Sequence, residues 1–407
     1  MKINKKTLIA GGLIFATGIA GVAAVSCGTS SANEVALVVS TRNNPFYTAI
    51  INAAQAKADE LGLSLVIYDS QNDAQKETTH INNIIAKGTT KVVLLNDVNE
   101  SSGISSVRTL NGAKIPVVAL DHLLTNDNEA VKNSGIKVEA NIASDNKQAG
   151  KIIAQLLAQK IGLPADAPVY TLYGLPGTES GESRASGFLE SVKKSATENV
   201  AYNLFAYTKY GQAVRNGVNY VGDQADDNRD KATQTTANRL ATLFAASRSD
   251  RPALVFGTND ESAIGAISAI QTGGLALAGN AEYDASLTGA NRQIYVTGVD
   301  DTADALASIK EGKMTATVKQ DTTAMSQIAV QIAKDIIDGK WTSSAKPTYK
   351  SYYDAYPTVA KNKTVSDAIE QGYFFSIGTQ IRWKNKQGNI ELLGDADNDG
   401  ILEVIAS

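Results

Sequence analysis

The sequence is poor in the residues that build covalent or metal-bound cores. Its 407 residues include one cysteine and two histidines, which excludes a disulfide framework and a histidine-rich metal site. Acidic residues only slightly outnumber basic ones, 42 against 38, so the clustered basic surface that binds nucleic acid is not expected. With 43% apolar residues, the composition is that of an ordinary globular protein, long enough for two domains.

The one cysteine stands at the end of an apolar N-terminal segment. Three lysines precede the run LIAGGLIFATGIAGVAAV, which ends in small residues just before Cys27. This layout is typical of a secretory signal peptide, predicted at 1–26. Because AAVSCG resembles the lipobox of bacterial lipoproteins, Cys27 is the predicted lipidation site; an uncleaved membrane anchor is the alternative. Both interpretations place the rest of the chain outside the cytoplasm, with 27–33 as a flexible tether.

Short apolar runs alternate with helical periods along most of the remaining chain. Near-continuous β-branched runs separated by helices indicate a parallel sheet that is covered on both faces. The alternation starts after the tether and restarts near residue 145, which predicts an α/β fold of two doubly wound lobes. The predicted strands are 34–40, 63–70, 91–96, 115–121, 168–174, 253–260, 294–300 and 314–321.

Polar side chains recur where these predicted strands end, and ligands of doubly wound sheets bind beyond the carboxyl ends of the strands. Sugar hydroxyls both donate and accept hydrogen bonds, so a mixture of carboxylates, amides and a guanidinium suits them. The rings of Phe46 and Tyr47 offer flat partners for the C–H faces of a sugar. Each polar residue alone could be a turn former or a helix cap, and Phe46 alone could be a core residue. Their recurrence in both predicted lobes favours a carbohydrate site.

Several segments, in the same order, resemble the ribose-type periplasmic sugar-binding proteins of ABC importers. They include ALVVSTRNNPFYTAI, IPVVALD, GLPGTESGESRASGF, VFGTNDESAIGAISAIQTGG and VTGVDDTADALASIKEGKMTATVKQD, and the resemblance runs from about residue 34 to about residue 340. It implies a type I periplasmic-binding-protein-like fold that closes on a monosaccharide. The implied crossings between lobes lie near Ser144–Asp145, near Gln320–Asp321 and around 345–355. The predicted domains are 34–144 plus 321–352 for lobe 1, 145–320 for lobe 2, and 353–407 for a C-terminal extension.

The resemblance also implies a ligand site built by both lobes. At three positions the sequence departs from the ribose binders. His122 stands in place of an arginine that pairs with the sugar, Val299 in place of an aromatic residue, and Asp227, by a less direct alignment, in place of another stacking ring. These changes favour a larger or more hydroxylated sugar over ribose. The predicted site residues are Ser40, Asn44, Phe46, Tyr47, Asn96, Asp121, His122, Arg184, Asp227, Asn259, Val299, Asp300 and Gln320.

The predicted function is that of a monomeric, lipid-anchored receptor on the outer face of the cytoplasmic membrane. It would deliver a monosaccharide to the permease of an ABC importer and would require no cofactor. A nucleoside or signalling-furanose receptor is the alternative on the same scaffold. A surface glycosidase with Asp121 and Asp300 as its two carboxylates is another, but binders of this fold use the same residues without turnover, so no enzyme activity is predicted. The related repressors carry a DNA-binding headpiece where this chain carries a secretion signal.

The predicted extension 353–407 looks like a helix followed by a β-hairpin, with the turn at NKQGN. Its DADNDGILE stretch resembles calcium loops of the D-x-D-x-D-G-x-x-[DE] kind found in integrin-like β-repeats. Hard oxygen ligands at alternate positions suit Ca²⁺, and Gly400 would allow the sharp bend. A solvated acidic turn is the alternative. The predicted ligands of the calcium site are Asp395, Asp397, Asp399 and Glu403.

Overall fold

The structure is a computed structural model that describes residues 33–124, 129–164, 167–176, 178–188, 191–195, 197–201, 213–215, 218–242, 245, 251–341, 373–395 and 400–406. The predicted signal peptide, Cys27 and the tether up to residue 32 lie outside these residues. So does the third crossing predicted around 345–355. None of the described helices has both the length and the hydropathy that crossing a bilayer requires.

Lobe 1 is built on a parallel sheet that has six strands in the described part of the chain. The chain-order numbering gives β1 (Glu34–Val39), β2 (Ser64–Asp69), β3 (Thr90–Leu95), β4 (Val117–Leu120), β5 (Ala140–Ser144) and β14 (Tyr373–Ile377). The spatial order is β14-β5-β4-β3-β1-β2, and all neighbours are parallel. The apolar run EVALVV of β1 is buried throughout, as expected for a strand with both faces covered.

Helices cover both faces of this sheet. On one face, the apolar sides of α1 and α10 bury residues such as Ile50 and Ile328 in one core. On the other face, α2 and α3 bury Ile84 and Leu110 in a second core. Gly88 ends α2 as its C-cap residue, with the left-handed φ of 69° that glycine adopts without strain. The helices of lobe 1 are α1 (Pro45–Glu60), α2 (Ala74–Lys87), α3 (Glu100–Gly112), α4 (Glu129–Lys132) and α10 (Thr322–Ile337).

Lobe 2 contains a larger mixed sheet, with nine strands among the described residues. They are β6 (Val169–Tyr173), β9 (Ala213–Arg215), β10 (Val218–Gln224), β11 (Leu254–Gly257), β12 (Tyr295–Val299), β13 (Ala316–Lys319), β15 (Gln380–Lys384), β16 (Ile390–Gly394) and β17 (Glu403–Ala406). The spatial order is β17-β16-β15-β13-β12-β11-β6-β10-β9. The strands from β13 to β10 are parallel, and the outer strands pair antiparallel.

Lobe 2 also buries a core on each face of its sheet. The stretch SRASGFLESVKKSA predicts a helix over 183–196, and this prediction is wrong at its end, because α6 (Glu179–Phe188) stops at Phe188. The buried ring of Phe188 stacks on Phe256 at 5.1 Å between centroids. The following residues form a separate antiparallel pair, β7 (Ser191–Ser195) with β8 (Glu198–Ala201). The helices of lobe 2 are α5 (Asn146–Leu156), α6 (Glu179–Phe188), α7 (Arg229–Leu240), α8 (Asp260–Thr272) and α9 (Ala303–Lys310). A π-helical turn, Leu157–Ile161, continues α5, and a 3₁₀ turn spans Gly289–Asn291.

The described chain passes between the lobes at three places. It leaves lobe 1 after β5 at Ser144, returns after β13 at Gln320–Asp321, and leaves again at 378–379, between β14 and β15. This arrangement confirms the predicted fold class of two doubly wound lobes joined by a three-segment hinge.

The segment 353–407, which was predicted as a separate extension, contributes strands to both sheets where it is described. β14 joins lobe 1 parallel to β5, and β15, β16 and β17 extend lobe 2. The predicted hairpin is the antiparallel pair β15–β16, and its turn is closed by the hydrogen bond that the Asn385 amide donates to the Asn389 carbonyl oxygen at 2.8 Å. The helical part predicted before this hairpin lies outside the described residues up to residue 372.

Candidate binding site

Three strand ends of lobe 1 are joined by a chain of side-chain hydrogen bonds. Ser40, after β1, donates from its amide and its hydroxyl to Asn96 Oδ1, at 3.0 and 2.9 Å. Asn96, after β3, donates from its amide nitrogen to Asp121 Oδ2 at 3.3 Å. Asp121, after β4, has a left-handed φ of 70°. Because parallel neighbours end at one edge of the sheet, these three buried side chains form a continuous polar wall.

The loop after β1 brings two rings to the same edge. Asn44 caps α1 and accepts a hydrogen bond from the Phe46 amide at 2.9 Å, and Pro45 occupies the first helical turn, where its missing N–H costs nothing. The rings of Phe46 and Tyr47 meet edge to face at 5.2 Å. Both belong to the core between α1 and the sheet, but the Tyr47 hydroxyl lies 3.3 Å from Nε2 of His122, so Tyr47 also reaches the polar wall.

His122 is held by the backbone and faces two site residues. Its Nδ1 donates to the Asp97 carbonyl oxygen at 2.5 Å, which leaves Nε2 to face Tyr47 and Asp121; Asp121 Oδ2 is 3.6 Å away. Burial lowers the pKa of His122, but the carboxylates of Asp121 and Asp97 outweigh burial and the net shift of its pKa is upward. These carboxylates favour the charged form of His122, which stands where the resemblance implied an arginine.

Arg184 provides the corresponding cation of lobe 2. It lies in α6 and is buried. Its Nε donates to Asn146 Oδ1 at 3.0 Å, and one terminal nitrogen donates to the Thr258 carbonyl oxygen at 2.8 Å. Asn146 in turn donates to Glu179 Oε2 at 2.9 Å. These contacts fix the guanidinium between the start of α5 and the end of β11.

Asn259 and Asp227 form a pair beside that guanidinium. Asn259 caps α8 by accepting from the Ser262 amide at 2.9 Å, and its amide nitrogen donates to Asp227 Oδ1. Asp227 Oδ2 accepts from the Leu175 amide at 3.0 Å. Asp227 has a left-handed φ of 54°, so a strained turn presents its carboxylate. The structure therefore brings Asp227, which was predicted from a less direct alignment, together with Asn259.

The strands next to the hinge supply the last predicted residues. Asp300, after β12, accepts from the Gln320 amide nitrogen at 2.6 Å. Gln320 Oε1 is buried and has no partner among the described residues, which leaves one acceptor open for a ligand hydroxyl. Val299, in contrast, is fully buried in a core of lobe 2. The structure thus gives Val299 a packing role in that core.

Charged side chains of the two lobes shift one another's pKa values at the candidate site. The pKa of Asp121 is raised, first by burial, and it is lowered in part by His122 and by Arg184 of the opposite lobe. Burial also raises the pKa of Tyr47, and carboxylates of both lobes, Asp121, Asp227 and Asp300, raise it further. Such couplings act over short distances. The strand ends of the two lobes therefore converge on one site.

A cleft of about 560 Å³ adjoins this site at the mouth between the lobes. Asn44 of lobe 1 and Asp227 of lobe 2 are common to the site and the cleft. The other residues that line the cleft are Thr41, Asn43, Pro45, Gln71, Asn72, Asn228, Arg229, Asp230 and Glu261.

The sequence did not reveal the residues that hold the predicted site residues in position. Asn146 orients Arg184, the Thr258 carbonyl oxygen accepts from it, and the Asp97 carbonyl oxygen fixes the ring of His122. Thr258 lies near the end of the predicted strand 253–260, and Asn146 lies next to the crossing implied near Ser144–Asp145, so their positions were the available signal. Asp97 contacts His122 through its backbone carbonyl oxygen. Because every residue type has this atom, the identity of residue 97 did not indicate the contact.

The predicted calcium ligands are only partly within the described residues, because Asp397 and Asp399 lie outside them. Asp395 accepts from the Gly400 amide at 3.1 Å and from Gln155 Nε2 at 3.0 Å, and Gly400 has the expected positive φ of 88°. Glu403 begins β17. Among the residues that the structure describes, no group of three or more metal-type side chains comes together.

Comparisons with known proteins agree with this architecture. A family model described as a periplasmic binding protein domain matches residues 35–340. The ribose import binding protein RbsB of Haemophilus influenzae is 32% identical over 324 residues, which cover 80% of this chain and 92% of that protein. RbsB of Salmonella typhimurium is 31% identical over 331 residues, which cover 81% and 94%. The structure of a Caulobacter myo-inositol binding protein has a TM-score of 0.61 at 22% identity and covers 86% of this chain and 93% of that one; at this identity the likeness bears on the fold alone.

Proposed function

The chain belongs to the periplasmic binding protein family, and from this premise we propose that it is an extracytoplasmic receptor that captures a monosaccharide and delivers it to an ABC importer. The observation that carries the proposal is the meeting of polar strand ends from both lobes at one buried place. There the positive charge of Arg184 in lobe 2 lowers the pKa of Asp121 in lobe 1.

The hydrogen-bonding groups of the site match those of a polyol. Hydroxyl protons of the sugar would be donated to Asp121 and Asp300 and to the open Oε1 of Gln320, while hydroxyl oxygens would accept from Arg184. A buried polar group without a partner costs about 1–3 kcal/mol, so a ligand that satisfies these groups together binds selectively. The ring of Tyr47, beside Phe46, would contact the C–H face of the sugar.

Binding would be coupled to closure of the lobes. The walls lie on two bodies joined by the crossings at Ser144, Gln320 and 378–379, so a sugar that touches both walls gains contacts only when they approach. A ligand shifts a conformational equilibrium by its difference in affinity for the two states. The permease would then recognise the closed form, and the sugar would leave the protein unchanged.

A titration against a sugar panel tests this function. We expect isothermal titration calorimetry with free pentoses, hexoses and nucleosides to show binding of a monosaccharide, with ribose weaker than a hexose because His122 and Asp227 replace residues of the ribose binders. Tight binding of ribose without any response to hexoses would contradict the preference. Preferential binding of nucleosides would favour the alternative receptor, and product formation from glycosides would favour the glycosidase.

We also propose that the receptor is a monomer held at the outer face of the cytoplasmic membrane by lipid on Cys27. Replacing this cysteine, Cys27→Ser, removes the acceptor and should release the mature protein into the soluble extracytoplasmic fraction. Membrane fractionation together with labelled fatty-acid incorporation measures this. The neighbouring change Ser30→Ala should leave both readouts as in the wild type. Membrane association of Cys27→Ser without label would instead indicate the uncleaved anchor.

For the C-terminal loop we propose Ca²⁺ binding by Asp395, Asp397, Asp399 and Glu403. Extracellular sites of this chemistry work at roughly 10⁻⁴–10⁻³ M, so millimolar Ca²⁺ should raise the melting temperature, and Asp397→Ala should remove this increase. The exposed Asp59 offers a control, since Asp59→Ala should keep the response. A melting temperature of the wild type that does not change with Ca²⁺ would identify the loop as a solvated acidic turn.

A further inference from the structure

The candidate site holds more carboxylates than cations. The charge of Asp227 acts on both Asp121 and Asp300, while Arg184 is the permanent cation of the site and His122 a titratable one. In the described part of the chain, no lysine or arginine forms an ion pair with any of the three carboxylates, and the one charged contact is that of Asp121 with His122, at 3.6 Å.

Neutral groups hold these carboxylates instead. Asp227 accepts from the Leu175 amide and from Asn259, and Asp300 accepts from Gln320. Arg184 directs its hydrogen bonds to the uncharged oxygens of Asn146 and Thr258. Neutral donors occupy lone pairs but leave the charge of a buried carboxylate uncompensated, and uncompensated buried charge is costly.

The pKa directions agree with this excess of negative charge. Burial is the largest cause that raises the pKa values of Asp121 and Asp300, and the charge of Asp227 raises both further. Burial likewise raises the pKa of Asp227 itself, although Leu175 and Arg184 lower it in part. Each carboxylate is thus in a place that favours an added positive charge.

Asp227 is the carboxylate that a ligand could reach most easily. It is partly buried and lines both the site and the 560 Å³ cleft. Arg229 also lines the cleft and lies two residues after Asp227 in the sequence. Its guanidinium donates from two nitrogens to Glu261, and it donates to Asp304 at 2.7 Å. Arg229 is therefore paired with Glu261 and Asp304, and the described residues show no ion pair between Arg229 and Asp227.

We propose that the ligand of this site carries an ammonium group, as an amino sugar does, and that Asp227 receives this group at the mouth of the site. The inference rests on the proposed function and narrows its substrate class from monosaccharides to amino sugars. An ammonium supplies three N–H donors and the missing positive charge, whereas a neutral sugar supplies donors only. The cleft beside Asp227 has room for the substituent.

The test compares matched ligands by isothermal titration calorimetry at pH 7. Glucose, galactose and mannose are each compared with the 2-amino-2-deoxy sugar and with its N-acetyl derivative, which keeps the substituent and loses the charge. We expect at least one amino sugar to bind at least about tenfold more tightly than both uncharged counterparts, and Asp227→Asn to reduce this preference to less than about threefold. The readout is the ratio of the two affinities, because Asp227 also belongs to the site that holds the neutral sugar.

The chain offers a matched control in Asp226, which has the same left-handed turn conformation and forms an ion pair with Lys231 instead. Asp226→Asn should keep the full preference for the amino sugar. If neutral sugars bind as tightly as amino sugars to the wild type, the proposal is wrong while the proposed function stands. If no sugar of either kind binds, both are wrong. The comparison on the wild type keeps this test valid even where Asp227→Asn does not fold.

Discussion

Arg184→Ala lowers the affinity for the sugar ligand by more than tenfold, while the protein remains folded. Arg184 is the one arginine among the candidate site residues. A hydrogen bond to a charged group contributes about 1.5–3 kcal/mol, which corresponds to about 10- to 150-fold in the dissociation constant. The substitution also removes the positive charge that lowers the pKa values of Asp121, Asp227 and Asp300. Titration calorimetry with the preferred sugar of the panel measures the affinity, and circular dichroism measures the fold.

Arg239 is the matched control for this change. It lies in α7 of the same lobe and pairs with Asp223, so Arg239→Ala removes an arginine and an ion pair that belong to none of the candidate site contacts. We expect its dissociation constant to stay within about twofold of the wild type. Arg184→Lys should fall between the two, because lysine keeps the charge but loses the planar geometry. An unchanged dissociation constant for Arg184→Ala would mean that the site lies elsewhere.

The sequence was sufficient to predict the lobes and most of the polar wall. Both follow from local patterns: buried β-branched strands predict parallel sheets, and parallel sheets bring their carboxyl ends to one edge. The hydrogen bonds from Ser40 to Asn96 and from Asn96 to Asp121 are direct results of that geometry. Asn44 and Asn259 show that a helix cap and a site residue can be the same side chain, so the two interpretations that the sequence left open do not exclude each other.

Long-range pairing was harder to predict. The run YFFSI of β14 reads as a strand, but nothing local says that it pairs with β5 of lobe 1, where Ser376 lies opposite Ala143. The Thr379 amide likewise donates to Gln148 Oε1 at 3.2 Å, although the two residues are 231 positions apart in the sequence. The position of Asp227 depends in the same way on the Leu175 amide and on Asn259, which come from distant segments. Such contacts depend on tertiary packing, which overrides local propensity.

A buried carboxyl behind the site, Asp97, gives the second large effect. It is 1% exposed, its Oδ1 has no partner among the described residues, and its side chain lies so close to Gly103 that a Cβ there would be 2.7 Å from its carboxyl carbon. Burial raises the pKa of Asp97 to about 7; His122 lowers it in part, and Glu77 and Asp121 raise it. The ionised form of Asp97 is therefore unfavourable in the folded protein.

Asp97→Asn should accordingly stabilise the protein in weakly alkaline solution. The folded pKa lies above the ordinary value of 3.8, so between these two values the native state holds a proton that the unfolded state has lost, and wild-type stability falls as the pH rises through this window. At about 1.4 kcal/mol per pKa unit, the amide should raise the free energy of unfolding by about 2–4 kcal/mol at pH 8 and by about 1 kcal/mol or less near pH 4.5.

Urea denaturation of both proteins at the two pH values measures this difference. Asp260 of lobe 2 also has a pKa raised to about 7, first by burial, but it is present in both proteins and its contribution cancels in the comparison. The exposed Asp59 serves as a control, because Asp59→Asn should change stability little at either pH. A gain for Asp97→Asn that is equal at both pH values would instead indicate better packing of the amide against Gly103, since only relief of a buried charge depends on protonation.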